Sequence, residues 1–419
     1  MANPPLSDRR PWGGRWRTFE SYGNSRFRLH QASWATSSMA MQMAQLARPW
    51  LAFELSDSAL MLGLVAGSQG LAQVIAAPFG GLAADRMPKR TVLLLSQLAL
   101  LAMVSVMAAL VAFDIVEVWH LALLAMVHGV AVTFNNPVRQ AFIPLLLPRR
   151  LLGNGIALHS GIRSLNQIIG PAIVGVLLEI EVAVAFFVIV GLHMVSVTFS
   201  TRLPHGLPEP RENRSIGSEL IYGLRYVAAH KVLRVIALLS ICATILVHPY
   251  PTLLPVFQKN VLVMGESALG FMFASIGLGA LVASVAIATF SGGATKSRSQ
   301  LLAGIAFGVA VIGLALAPVF PLTLVSLFAA GASAQVFSVA NSTQMMHHAD
   351  PALYGRVSAL NIWIRALMFI SLLGYGALVD LFGAPATVAT GGAVFIACVI
   401  GITVAFPRFR RGGVSSELH

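Results

Sequence analysis

Charge is scarce in this chain. Only 11% of its 419 residues are Asp, Glu, Lys or Arg, against about a quarter in an average soluble protein. A molecule of this size with so few charges cannot coat its surface for water, which excludes an ordinary soluble enzyme. Cysteine is almost absent. Cys242 and Cys398 both lie in apolar runs, so no disulfide framework is expected. No alternating apolar–polar segments of barrel-strand length occur. The first 28 residues are polar and Arg-rich, without an apolar core before a small-residue cleavage site. The first apolar run is therefore expected to act as its own signal. There is no HExxH, no nucleotide loop and no acid pair within an apolar run, and no acid lies mid-run. These absences argue against a membrane-embedded enzyme, and no cofactor or metal is expected. His347-His348 is read as a loop pair and is weak evidence for a metal.

What remains is hydrophobic: 57% of residues are apolar and the mean hydropathy is +0.78. A bilayer-spanning helix needs about 20 mostly apolar residues. Twelve stretches qualify: 29–53, 60–84, 91–113, 119–138, 152–179, 182–202, 231–257, 264–290, 299–318, 322–345, 354–381 and 384–406. The net charge of +12 could suggest nucleic acid. The bases, however, cluster between runs on one side, in the pattern of cytoplasmic loops. They include Arg86, Lys89 and Arg90, then Arg139, Arg149 and Arg150, then Arg202, Arg211 and Arg214, then Arg356. The opposite loops offer Lys259 beside Asp57, Asp114, Glu117, Glu181 and Glu266. Both termini are therefore expected in the cytoplasm, with a lipid bilayer as partner and no nucleic acid.

A polar linker with three prolines, "LPHGLPEPRENRSIGS" at 203–218, divides the chain, and an amphipathic piece, "ELIYGLRYVAAHK", follows it. The expected organisation is a tail at 1–28, a six-helix bundle at 29–202, a linker at 203–230, a second six-helix bundle at 231–406 and a tail at 407–419. The halves resemble each other. "SALMLGLVAGSQG" (58–70) matches "SALGFMFASIGLG" (267–279), and "ALHSGIR" (157–163) matches "ALNIWIR" (359–365), each pair in equivalent spans. Such a duplication marks transporters built from two bundles related by a pseudo-two-fold axis, with the substrate site between them.

The loop "GGLAADRMPKR" at 80–90 resembles the signature between spans 2 and 3 of the major facilitator superfamily, with Gly81, Asp85, Arg86 and Arg90 at matching places. "PWLAFELSDSALMLGLV", "FNNPVRQAFIPLLLPRRLLGNGIAL" and "IIGPAIVGVLLE" are similar to the drug–proton antiporter branch that holds the enterobactin exporter and macrolide efflux proteins. The resemblance implies an all-α fold of twelve membrane helices. It implies export of an amphipathic, drug-like or siderophore-like small molecule by alternating access. It also implies a gating role for Asp85 at the start of span 11, around Tyr354–Arg356, with Arg139 as another partner. Gly170-Pro171 keeps part of the antiporter signature, while Val174 takes a glycine place. The chain departs from the family in span 4. There His128-Gly129 stands for Gln-Gly, and Ala125 for the arginine associated with proton coupling.

Intramembrane polar residues are expensive and mark sites or pairs. Arg163 and Arg365 are equivalent in the two halves and read either as a cationic cavity for an anion or as snorkelling side chains. Arg48 is read as a structural pair with Glu54. Gln69, Gln73, Asn135, Asn136, Asn166 and Asn361 are expected to line the cavity or to bond neighbouring helices. His128, His159, Glu54 and Glu179 are the titratable groups available for proton coupling. "HPYPTLLPVF" (248–257) is either an outer gate or an ordinary kinked end. With no mid-span carboxylate, an anion leaving a negative interior could be driven by voltage, at about 2.3 kcal/mol per charge per 100 mV. The family implies proton antiport instead. An importer or lipid flippase of the same fold, and a transport-dead sensor, are the alternatives. A monomer is expected.

Overall fold

The computed structural model describes residues 17–206, 225–289, 297–317, 319–350 and 354–406. Their regular structure is helical. Twelve long helices follow in order: α1 Ser25–Ser56, α2 Ala59–Arg86, α3 Lys89–Ala112, α4 Val118–Leu146, α5 Leu152–Ile180, α6 Val182–Ser200, α7 Lys231–Leu246, α8 Glu266–Thr289, α9 Ser297–Leu316, α10 Phe320–His348, α11 Tyr354–Phe382 and α12 Ala384–Ala405. Among the described residues ten helices are long and apolar enough to cross a membrane, and α1 is not one of them. Its run of Gln, Ser and Thr explains why: Gln31, Ser33, Ser37 and Ser38 are buried inside the bundle.

Local chemistry sets the helix ends. The Asn24 side chain accepts from the backbone N–H of Arg26 and Phe27 and starts α1. Asp57 ends it in the left-handed region, at φ 50°, where Asp is among the tolerated residues. Several expected ends move. The fourth span runs to Leu146, with Pro137 and Pro144 inside it, so Arg139 is a helix residue rather than a loop residue. The tenth runs to His348, which puts His347-His348 in the last helical turn. The seventh stops at Leu246 and continues in short pieces, Tyr250–Leu253, Leu254–Val256 and Phe257–Val261. Pro249, Pro251 and Pro255 supply no N–H to a regular ladder, which accounts for the change of winding.

The packing repeats. In the first half α1 packs on α5 and α6, α2 on α4, and α3 on α4 and α6. In the second half α7 packs on α11 and α12, α8 on α10, and α9 on α10 and α12. The halves meet mainly where α2 packs on α11 and α5 on α8. Each half thus presents its second and fifth helices to the other, and any site between them is lined from both.

Candidate functional site

The end of the molecule remote from the N-terminus, the far end, is held shut by two related contacts. Asp380, at the end of α11, reaches the start of α2 in the other half. Its Oδ2 accepts from Ser58 Oγ at 2.7 Å and from the Leu60 N–H at 3.1 Å, and its Oδ1 from the Ala59 N–H at 2.8 Å. Glu179, at the end of α5, reaches the start of α8, where its Oε2 accepts from the Ser267 N–H at 3.3 Å. Each half therefore sets a carboxylate on the positive N-terminus of the other half's second helix, where unpaired N–H groups and the helix dipole favour an anion. The matched serines, Ser58 and Ser267, open the two repeated sequence segments.

Lys259, beyond the broken seventh helix, adds ion pairs across the halves to Glu54 at 3.2 Å and Asp57 at 3.3 Å. It also lies 5.6 Å from the Phe53 ring centroid. All three charged side chains are substantially exposed, so each pair contributes about 0.2–1 kcal/mol.

Glycines allow the halves to touch backbone to backbone below these latches. A Cβ on Gly175 would come 2.8 Å from the Gly270 Cα, and one on Gly270 would come 2.7 Å from the Pro171 carbonyl. A side chain on Gly63 or Gly376 would likewise collide with the facing carbonyl of Leu372 or Ala59. Gly270→Val should therefore prop α5 from α8. The expected outcome is faster labelling, from the far side, of a cysteine placed at Thr252 in a chain whose Cys242 and Cys398 have been replaced. An unchanged labelling rate would mean that the seal does not depend on this approach. On α5 the packing lapses toward the near end. Nothing lies within 4 Å of a Cβ built on Gly153 or Gly161, and Ser160, Gly161 and Arg163 are exposed.

A cavity of about 220 Å³ lies between the halves. Its lining mixes apolar side chains, Met41, Leu62 and Val65 from the first half and Met368 and Leu372 from α11, with polar ones. The polar lining is Gln42, Gln45, Arg48, Gln69 and His128. Arg48 is only 7% exposed. Its Nε donates to the Ala44 carbonyl at 3.2 Å and its Nη2 lies 3.5 Å from His128 Nε2. Glu54 is engaged with Lys259, so the expected Arg48–Glu54 pair gives way to Arg48–His128.

A separate polar core stiffens the first half. Arg139, 1% exposed, donates from Nε to Asn135 Oδ1 at 2.7 Å, from Nη1 to Ser33 Oγ at 3.2 Å and from Nη2 to Ser196 Oγ at 3.4 Å. Its guanidinium lies 5.4 Å from the Trp34 ring centroid. Gln97 donates to Ser33 and Ser196, and Asn135 to Ser96. These groups tie α1, α3, α4 and α6 together. The second half repeats the design without charge: Ser240 and Gln300 donate to Asn341 Oδ1, and Gln344 donates to Gln300 Oε1. Membrane helices use such bonds because hydrocarbon offers polar groups no alternative partner.

The other expected site residues fall as follows. Asn166 donates to the Ala35 carbonyl and to Ser38, which pins α5 to α1. His159 stacks on Trp34 at 4.5 Å, and its Nδ1 lies 3.3 Å from Gln31 Oε1. Gly170 sits against Gln42 on α1. Pro171 lies inside α5. Gln73 and Asn136 are half-buried and outside the cavity lining. Arg86 is exposed at the end of α2, and Arg90 donates to the Thr201 carbonyl. Gly81 is helical. The side chains of Asp85, Arg356, Asn361 and Arg365 lie outside the described residues. Sequence reasoning did not find the latch role of Asp380 or the trans-pairing of Lys259. The repeat itself carried a signal, since each half opens its second helix with Ser-Ala-Leu and ends its fifth with an acid.

Two like-built helical halves, meeting around a cavity lined from both and shut at one end, define a multi-pass membrane transporter of small molecules. The chain belongs to the Major Facilitator Superfamily, whose family model matches residues 33–372. It is 26% identical to the multidrug efflux pump Tap of Mycolicibacterium fortuitum over 89% of this chain and 93% of that one. It is 21% identical to the staphyloferrin A transporter of Staphylococcus aureus (strain NCTC 8325 / PS 47) over 81% of this chain and 86% of that one. Among solved structures, the nucleoside transporter NupG superposes with a TM-score of 0.71 at 16% identity, over 91% of this chain and 98% of that one. The chain is a transporter and not an enzyme.

Proposed function

We propose that the protein exports amphipathic organic molecules across the bacterial cytoplasmic membrane by alternating access. The cavity between the halves carries this reading. Its lining combines Met, Leu and Val side chains with Gln, Arg and His, which suits a molecule with both characters. Charge placement supports a cytoplasmic near end, because cytoplasmic loops are rich in Lys and Arg. The sealed far end then faces outward, and the exposed near half of α5 belongs to an entrance from the cytoplasm. The halves at 29–202 and 231–406 are the bodies that rock, with 203–230 as the cytoplasmic strap between them and the monomer as the working unit. The named efflux activity of Tap agrees with the outward direction.

Everted vesicles from cells making the protein test this. Energised vesicles should accumulate an amphipathic dye several-fold above vesicles lacking the protein. Accumulation confined to right-side-out vesicles would reverse the direction. In proteoliposomes, a pH gradient at zero potential and a potential at equal pH separate proton antiport from voltage-driven transport.

A further inference from the structure

We propose that Arg48 is the seat for an anionic group on the transported molecule, so that the preferred substrate is a carboxylate or sulfonate carried on an apolar scaffold. The inference rests on reading the inter-half cavity as the transport site and names the substrate class of that site.

Arg48 is a buried cation whose guanidinium is incompletely used. Its Nη1 has no hydrogen-bond partner. Its Nη2 meets His128 Nε2 only at 3.5 Å, the outer limit of a hydrogen bond. Among the described residues no carboxylate lies within ion-pair distance of it, and the nearby acids Glu54 and Asp57 are paired with Lys259. Arg139 gives the contrast within the same half. There Nε, Nη1 and Nη2 each have a partner and an aromatic ring lies alongside, as expected of a structural arginine. A guanidinium withdrawn from water and left without an anion is costly. The arrangement becomes favourable when an anion arrives. Nη1 and Nη2 form a planar fork that matches two oxygens of a carboxylate or sulfonate.

His128 supports this without competing. Its Nε2 can accept from the guanidinium only in the neutral ring. The proton then sits on Nδ1, which is buried with no partner, so no second positive charge is required beside Arg48. Gln45 and Gln69 line the same cavity and can donate to remaining anion oxygens. Met41, Leu62, Val65, Met368 and Leu372 take the apolar body. Because Met368 and Leu372 come from the second half, a molecule anchored on Arg48 touches both halves at once, as an alternating-access substrate must.

The test uses purified full-length protein in lipid nanodiscs and two matched dyes. One is the anion 8-anilinonaphthalene-1-sulfonate, the other its neutral relative N-phenyl-1-naphthylamine, and empty nanodiscs are subtracted. The wild type should bind the anion saturably and more tightly than the neutral dye. Arg48→Gln should weaken the anion by roughly tenfold to a hundredfold, the range for a lost charged hydrogen bond. It should leave the neutral dye within about twofold, in keeping with a contact made only to the anion. Arg48→Lys, which keeps the charge and loses the fork, should fall between. Gel filtration and melting establish that the variants are folded. If Arg48→Gln aggregates, the lysine variant carries the test, and wild-type anion affinity in it would overturn the forked contact. Equal losses for both dyes in Arg48→Gln, or no saturable anion binding by the wild type, would overturn the proposal. Dye flux in proteoliposomes keeps the two readings apart. Arg48-dependent discrimination without outward flux would refute export and leave the anion seat standing. Outward flux without discrimination would do the opposite.

Discussion

Glu179→Gln combined with Asp380→Asn is expected to open the far end of the transporter. Asp380 accepts from two backbone N–H groups and one hydroxyl across the interface, and Glu179 accepts from one N–H. An amide keeps the shape of each side chain but removes the charge. It also turns one acceptor into a donor, which then faces another donor in the Asp380 contact. A charged hydrogen bond contributes about 1.5–3 kcal/mol when shielded. These carboxylates are exposed, so about 1 kcal/mol for each latch is the better figure, close to that of a helix N-cap. The latches sit on different helix pairs, α2 with α11 and α5 with α8, and their effects should add. Together they amount to about 2 kcal/mol, roughly a thirtyfold shift in the ratio of open to shut molecules. Spin labels at Phe113 and Val319, exposed residues in loops of the two halves, should report a longer-distance population in the double variant. Lys259→Ala should do less, since exposed ion pairs contribute little. A distance distribution identical to wild type in the double variant would remove the latches from the gate.

Arg139→Ala is expected to cost about 3 kcal/mol of stability in the first half. That figure combines the charged hydrogen bonds lost with the cavity left beside Trp34. Asn135 Oδ1 loses its donor, whereas Ser33 and Ser196 retain each other and Gln97. Removal of a buried charge recovers part of the loss, which is why the figure is not larger. Trp fluorescence melting in detergent should show a lower transition, with Arg139→Lys intermediate, and transport per folded molecule should change little. Normal melting with abolished transport would move Arg139 from scaffold to transport cycle.

The spans were legible because a bilayer imposes one length on every helix. Their ends were not. Hydropathy marks where lipid stops, while helices continue as long as backbone bonds and neighbours allow. The fourth apolar run ends at residue 138, yet α4 runs on to Leu146 with Pro137 and Pro144 inside it, as membrane helices permit when neighbouring groups satisfy the freed carbonyls. Arg48 shows the limit for the site. Glu54 is close in sequence, but six residues along a helix is not the three or four that bring side chains together. Lys259, 205 positions away in the other half, takes Glu54 instead. Pairings across the two halves depend on tertiary geometry, and the repeated Ser-Ala-Leu starts with the acids ending each fifth helix hinted at it. The internal repeat also carried the scaffold, with Gln97 and Asn135 in one half answering Gln300 and Asn341 in the other.

The polarity of α1 has a consequence for how the chain is made. Lipid alone does little to hold a helix whose buried face is Gln31, Ser33, Ser37 and Ser38. Several of the groups that satisfy that helix arrive late: Asn166 follows Ala35 by 131 residues, and Ser196 and Ser200 follow Ser33 by 163 and 167. Gln97 and Arg139 reach Ser33 earlier, 64 and 106 residues on, but until the fifth and sixth helices emerge from the ribosome the first segment has only part of its partners. Its residence in the membrane is then a provisional docking at the insertion machinery, and it becomes final only when the sixth helix closes the first half.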